Sequence, residues 1–82
     1  MRSRDPVQLL VALHVDRGGE TPVMVSNDGE NIHGVWIARK LVSSLHLTGK
    51  TTKGTDRNGQ MVNLPMANIT IPEWLAIKSG LI

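Results

Sequence analysis

The residues that could bind a metal ion are few and far apart in the sequence. The intervals between His14, His33 and His46 fit neither an i, i+4 pair on one helix face nor a close His-x-His pair. Asp28 and Glu30 flank a glycine, but a calcium loop of the EF-hand type needs oxygen ligands spread over about twelve residues. We therefore predict no metal site and no cofactor, and we interpret Asp28 and Glu30 as turn residues.

Motifs for phosphate chemistry or nucleophilic catalysis are incomplete. The tripeptide Gly49-Lys50-Thr51 resembles the end of a phosphate-binding loop, but the full pattern requires glycine at the position of Ser44. Neither Ser26 nor any other serine lies in the glycine-flanked turn that exposes a catalytic serine, and no triad partners are evident. We predict that the chain is not an enzyme and has no catalytic residue.

Basic residues are concentrated in the middle of the chain. Residues 1–38 contain three arginines and five acidic residues, whereas residues 39–57 contain five basic residues and one acidic residue. Such a segment can meet the phosphates of a nucleic acid or an acidic protein surface, and the alternative is a solvated loop. The candidate electrostatic binding residues are Arg39, Lys40, Lys50, Lys53 and Arg57.

The size of the chain predicts one domain, residues 1–82, with a small core. Eighty-two residues bury too little apolar surface to divide between two cores. Phe and Tyr are absent, so Val, Leu, Ile and Met must fill the interior together with Trp36 and Trp74, the only aromatic residues. Burying such a side chain contributes several kcal/mol of a total stability of about 5 to 15 kcal/mol. Both tryptophans are therefore predicted to be buried structural residues.

No segment is typical of secretion or of membrane insertion. Cysteine is absent, which excludes a disulfide framework and favours a reducing compartment. The apolar run that follows residues 1–7 is shorter than the core of a signal peptide and far shorter than a membrane span. We predict a cytoplasmic location and no membrane partner.

Alternating apolar residues predict strands in the first half of the chain. A period of two is clearest from Val7 to Val15, and the paired glycines after it indicate a turn. Asp28 and Gly29 indicate a tight hairpin turn. The last of these strands becomes basic at Arg39, where we expect it to leave the core or bend. The predicted strands cover residues 7–15, 21–26 and 32–42.

The second half of the chain has a weaker pattern. Residues 43–47 are predicted to be either a further strand or a bend. Residues 50–60 contain no apolar residue, which predicts a mobile basic loop or the exposed tip of a long hairpin. Residues 61–64 and 68–71 are expected to be extended, and residues 1–5 to be flexible.

A short helix is predicted from Pro72 to about Gly80. Pro72 suits a first helical position, Glu73 suits the positive end of the helix dipole, and Gly80 suits the left-handed residue that ends a helix. Pro72 and Gly80 are thus structural residues. A helix this short forms only when it is packed, and the side chains expected to dock it are Trp74, Leu75, Ile77 and Leu81.

Together these elements predict a mainly β fold. We expect a small antiparallel barrel or a highly curved sheet of four to six strands with a short C-terminal helix.

Two segments resemble a family of small uncharacterised proteins from bacteriophages and bacterial mobile elements. The stretch 35–40 is similar to a tryptophan-centred strand of the type W-[IV]-P-[KR]-S at Trp36, Ile37 and Arg39, with alanine and lysine in place of the proline and the serine. Residues 72–76 match a C-terminal P-E-W-L-A segment. The resemblance implies a small β-rich fold and a phage or mobile-element setting, hence the cytoplasm of a bacterial host.

These observations lead to one functional hypothesis and two alternatives. The hypothesis is a non-enzymatic accessory protein that binds a host or phage protein complex, for example as an inhibitor of a bacterial defence system. The alternatives are a small β-barrel that binds nucleic acid directly and a self-assembling structural protein. A monomer or a homodimer fits each of them.

Overall fold

Five antiparallel strands form one sheet in the order β3-β2-β1-β5-β4. The computed structural model describes residues 5–82, so the predicted flexible segment 1–5 lies outside the described residues except for Asp5. The sheet is open, which confirms the predicted mainly β fold in its form as a curved sheet with a short C-terminal helix. The elements are β1 (Pro6–Val15), β2 (Val23–Ser26), β3 (Val35–Ile37), β4 (Ser44–Thr55), β5 (Met61–Pro72) and α1 (Glu73–Lys78), with 3-10 turns at Asn31–His33 and Arg39–Leu41.

β1 is the central strand, and it changes partners along its length. It runs antiparallel to β5 from Pro6, opposite Pro72, to Ala12, opposite Met66. At Ala12 it also meets Ser26 of β2, and its last residues pair with β2 alone. The alternating apolar pattern of the sequence fits this position, since β5 pairs with one edge of β1 and β2 pairs with the other. The first predicted strand is confirmed.

The core lies between one face of the sheet and α1. Successive side chains of a strand point to opposite faces, so Val11 of β1 and Ile69 of β5 share the face that α1 covers. We call this the inner face. Ala76 of α1 and Leu81 pack against it. The large hydrophobic side chains with no exposed surface are all branched aliphatics: Val11, Val23, Val25, Ile37, Ile69 and Ile71.

The C-terminal helix begins slightly later than predicted. Pro72 has extended backbone, with φ −60° and ψ 143°, so it is the last residue of β5 and precedes the helix instead of occupying its first turn. The first helical residue is Glu73, whose N–H donates to the carbonyl of Asp5 at 2.9 Å. This bond joins the start of α1 to the chain that leads into β1.

The end of the helix follows the prediction. The N–H of Leu81 donates to the carbonyl of Ala76, and the N–H of Gly80 donates to that of Ile77. Gly80 has φ 75°, so the three features together form a Schellman motif. The side-chain amide of Asn27 also donates to the carbonyl of Leu81 at 3.1 Å, which ties this end to the loop after β2.

The third strand is shorter than predicted. β3 covers Val35–Ile37 instead of 32–42, because a 3-10 turn lies on each side of it. Before the strand, Gly34 lies so close to the side chain of Met24 that a Cβ atom would collide with it. After the strand, the second 3-10 turn carries the chain toward β4, and the predicted change of direction at Arg39 is confirmed.

The segment predicted as a basic loop, residues 50–60, is largely strand. β4 continues through Lys50 to Thr55, so the loop prediction is wrong for these residues and the alternative of a hairpin tip holds for residues 56–60. Threonine favours extended backbone, and the residues up to Thr55 pair with the start of β5. Two segments predicted separately, 61–64 and 68–71, form one continuous strand.

A bulge bends β4 near its middle. Between Leu47 and Thr51, three residues of β4 stand opposite Met66 alone. Gly49, in the centre of the bulge, has φ 82°, a conformation that favours glycine. Extra residues on one strand increase the local bend and twist, and beyond this point the hairpin no longer pairs with β1.

The prediction of a tight hairpin turn at Asp28 and Gly29 is wrong. Eight residues, 27–34, separate β2 from β3, and they include a 3-10 turn.

The loop after β2 packs against the half of the β4–β5 hairpin that is nearest its tip. The N–H of Thr55 donates to the carbonyl of Gly29 at 3.0 Å, and the hydroxyl of Thr55 accepts from the N–H of Asn31 at 3.0 Å. A Cβ atom on Gly54 would overlap the carbonyl oxygen of Gly29 and lie 2.6 Å from Cδ1 of Leu64. Position 54 therefore requires glycine.

The contact between this loop and the hairpin predicts a large effect of Gly54→Ala. The added methyl group must displace backbone, so we expect a loss of about 2 kcal/mol or more in urea unfolding and faster hydrogen exchange at the Thr55 amide. Gly49→Ala is the control, because it adds backbone strain of about 1 to 2 kcal/mol but meets no neighbouring atom. It should leave exchange at Thr55 unchanged, and equal protection of Thr55 in both variants would contradict the close contact.

Candidate interaction surfaces

The structure separates the five candidate basic residues into two groups. Arg39 and Lys40 lie in the 3-10 turn after β3, beside the β1–β2 turn. The guanidinium of Arg39 forms an ion pair with Asp16 and donates from Nε to the carbonyl of Thr21 at 3.2 Å. Lys40 borders a shallow hollow that also contains Glu20. In this first group, Arg39 is therefore paired with a carboxylate and Lys40 has one nearby.

The ion pair also affects the titration of its acidic partner. The hydrogen bond from Arg39 and a second one from the N–H of Gly18 hold the pKa of Asp16 below its ordinary value. Asp16 therefore stays ionised over the physiological range. We conclude that Arg39 serves first to hold the β1–β2 turn against the turn after β3.

The second basic group lies on the β4–β5 hairpin. Lys50 is in the bulge of β4, Lys53 is opposite Asn63 of β5, and Arg57 is in the turn that closes the hairpin. None of these three cations forms an ion pair with another described residue. Lys40 is likewise without an ion pair, so four of the five predicted cations have no acidic partner among the described residues.

Residues 50–65 are the part of the β4–β5 hairpin in which β5 does not pair with β1. They form a two-stranded ribbon, which we call the arm. One face of the arm carries Leu64, which is buried against the loop after β2. The opposite face carries Lys53, Asn63 and Met61, all exposed. Alternation along the two strands produces this arrangement, because residues directly opposite one another share a face.

The prediction that both tryptophans are buried is wrong. Trp36 is 57% exposed and Trp74 is 37% exposed. In β3, the neighbours Val35 and Ile37 point to the inner face, so Trp36 points to the opposite, outer face of the sheet. Sequence reasoning placed the aromatic residues inside because they are the largest apolar side chains, but branched aliphatic residues fill this small core instead.

The docking side of α1 also differs from the prediction. Ala76 is fully buried and Leu75 packs against the core, whereas Trp74 and Ile77 are exposed. The buried Leu81 completes the contact from beyond the helix end. A small residue lets the helix backbone lie close to the sheet, which turns Trp74 and Ile77 outward.

The outer face of the sheet carries exposed apolar side chains. Trp36 stands directly opposite Met24 in the β2–β3 pair. Leu10 of β1 points to the same face and is 55% exposed. One residue in the sequence indicated this apolar outer face. Leu10 lies among Gln8, Ala12 and His14, the polar or small residues on the second side of β1.

A serine and a histidine meet at hydrogen-bond distance under this face. Nε2 of His14 lies 2.7 Å from Oγ of Ser26, a contact that the sequence did not indicate. Ser26 is completely buried, and its Oγ also accepts the N–H of Gly29 at 2.9 Å. A substrate cannot reach that oxygen, so we assign the pair to holding the loop after β2.

The other two histidines lie elsewhere. Nδ1 of His33 is 2.6 Å from Oδ2 of Asp28, and His46 is exposed on β4. The N–H of Glu30 and then His33 lower the pKa of Asp28 by hydrogen bonding. Within residues 5–82, no three His, Asp or Glu side chains come together in a group that could hold a metal ion.

No protein-family model, curated protein or solved structure matches the chain. In the part of the chain that the structure describes, no helix has the length and apolar character needed to cross a membrane. Function must be inferred from the outer face around Trp36 and from the arm.

The contact between His14 and Ser26 predicts a pH-dependent stability. Burial lowers the pKa of His14 below its ordinary value, against a smaller opposing effect of the Asp28 carboxylate. The unfolded chain therefore binds more protons once the pH falls below about 6.5, and stability present above that pH should decline on acidification. The measurement is the urea midpoint between about pH 7.5 and 5.

His14→Gln should flatten this decline, because it removes the group whose protonation differs between the two states. His46→Gln is the matched control and should keep the wild-type profile, since the imidazole of His46 is exposed on β4. A His14→Gln profile parallel to that of the wild type would show that His14 does not cause the pH dependence.

Proposed function

We propose that the chain is a non-enzymatic accessory protein of the phage or mobile-element type that works by binding another protein. Its binding surface is the outer face of the sheet around Trp36. A small phage protein of this kind can act as an inhibitor of a bacterial defence system, because occupying a surface on the target is sufficient to block it. The setting is the cytoplasm of a bacterial host.

The exposure of Trp36 supports this proposal most directly. A buried tryptophan removes about 150 to 250 Å² from water, so covering the exposed half of Trp36 would contribute about 2 to 3 kcal/mol. Tryptophan and methionine are enriched at the centres of protein interfaces. Met24, directly opposite Trp36, extends the same apolar surface.

The family-like motifs fit this division of roles. Trp36 belongs to the strand motif and is the exposed residue of β3, whereas its neighbour Ile37 is fully buried. The motif at residues 72–76 spans the junction of β5 and α1 and contains the buried Ala76. On this proposal the first motif presents the binding residue and the second stabilises the fold.

The test compares Trp36→Ala with Trp74→Ala. Tagged wild-type protein is used to capture a partner from extracts of bacteria carrying the phage or element, and the purified partner is titrated by calorimetry against each variant. Loss of an interface tryptophan commonly costs 2 kcal/mol or more, so Trp36→Ala should weaken binding about 30-fold or more. Trp74→Ala should bind as the wild type does, because Trp74 lies on α1, on the other side of the sheet.

The outcomes separate this function from its alternatives. Equal binding by wild type and Trp36→Ala would show that the outer face is not the contact surface. Failure to recover any purified partner would remove the basis of the inhibitor role. A mass that rises with concentration in light scattering, and is restored to the monomer by Trp36→Ala, would make the partner a second copy of the chain.

A further inference from the structure

The arm has a charge pattern that the outer face lacks. Lys50 and Lys53 lie in its β4 strand and Arg57 lies at its tip, without ion pairs to the described residues. The hollow beside Lys53 is lined by Met61, Val62 and Asn63 and contains no carboxylate. Desolvating these cations against an anionic partner would therefore break no existing ion pair.

Carboxylates occur only at the tip of the arm. Asp56 accepts the N–H groups of Asn58 at 2.8 Å and of Gln60 at 3.0 Å, so its side chain closes the turn. Glu30 accepts the hydroxyl proton of Thr55 at 2.8 Å. Both line the hollow next to Arg57, and neither lies in the hollow beside Lys53.

The shape of the arm favours duplex nucleic acid as its anionic partner. The strands of the arm contain six residues of β4, 50–55, and five of β5, 61–65, and at about 3.4 Å per residue they extend for about 20 Å. A two-stranded ribbon is one of the elements that the major groove of B-DNA, about 12 Å wide, admits. The exposed face of the arm also offers the Thr51 hydroxyl and the Asn63 amide, groups that commonly bond phosphate oxygens.

We infer that the arm, residues 50–65, is a second binding surface that contacts the phosphate backbone of duplex nucleic acid through Lys50, Lys53 and Arg57. It is independent of the proposed protein partner, because Trp36 and the arm use different strands and different surfaces. Arg39, which is paired with Asp16, takes no part, and Lys40 lies in the same turn, outside the arm. The predicted basic segment is thereby reduced to its hairpin residues.

Salt-dependent binding is the quantitative test. Each phosphate contact contributes about −0.9 to the slope of log affinity against log salt, so three contacts give about −2.7 and a loss of roughly 40-fold between 50 and 200 mM salt. The measurement is fluorescence anisotropy of a short labelled DNA duplex titrated with the protein. The triple variant Lys50→Gln, Lys53→Gln, Arg57→Gln should lose this binding, and each single variant should reduce the slope by about one.

The matched control removes three positive charges elsewhere. The triple variant Arg17→Gln, Lys40→Gln, Lys78→Gln has the same net charge as the arm variant and should retain the wild-type affinity and slope within about twofold. Equal loss in both triple variants would overturn the proposal, since it would show a response to net charge alone. Failure of the wild type to bind the duplex at about 50 mM salt would also overturn it.

Two further measurements locate the contact and identify its chemistry. In an NMR titration, the duplex should shift the amides of Thr51, Lys53 and Asn63 and leave those of α1 unchanged; shifts confined to α1 would overturn the assignment. Polyglutamate should compete poorly with the duplex, and competition equal to that of unlabelled duplex would make an acidic protein surface the partner instead. Trp36→Ala should bind the duplex normally, so this inference and the proposed function fail separately.

Discussion

The exchange of partners along β1 at Ala12 is the constraint from which the rest of the architecture follows. Up to Ala12 the strand pairs with β5, and from Ala12 onward it pairs with β2, so Ala12 alone has partners on both sides. The start of β5 is thus released from the sheet and can only pair with β4, which makes the arm. Ala12 is completely buried, and its small side chain suits the place where Met66 and Ser26 both approach.

An arm that does not pair with β1 needs another element to stabilise it, and the loop after β2 does so. A free two-stranded ribbon is marginally stable in water, and here its Leu64 side is covered by the backbone at Gly29. Hydrogen bonds to Thr55 and the buried Ser26 hydroxyl hold that loop in place. Two glycines without side chains, 29 and 54, make the close approach possible, so a stable arm depends on residues far apart in the sequence.

A small aliphatic core explains why the tryptophans lie outside. The helix approaches the sheet through Ala76, and the space beneath it is filled by side chains such as Ile69 and Ile71. An indole ring in that layer would separate the helix from the strands. Trp36 and Trp74 consequently lie on opposite sides of the sheet, which gives the molecule exposed apolar surface on both sides.

Local chemistry determined a large part of this protein. The alternation in β1 and the Gly80 helix end follow from side-chain period and from backbone preferences, which act between near neighbours and can be read in the sequence. The inner face could be predicted for the same reason, as could the change of direction at Arg39. Even the exposed Leu10 was visible as an apolar residue on the weaker side of β1.

Which residues are available for binding was decided only by the tertiary structure. Residues 50–55 have no apolar side chain, and they form a strand because β5 lies beside them, a partner whose register depends on the whole sheet. The pairing of Arg39 with Asp16, and the absence of such a partner among the described residues for Lys53, likewise depend on contacts across many residues. Whether Trp36 is buried depends on how much volume the other core residues leave, which is a property of the packed molecule and not of any segment.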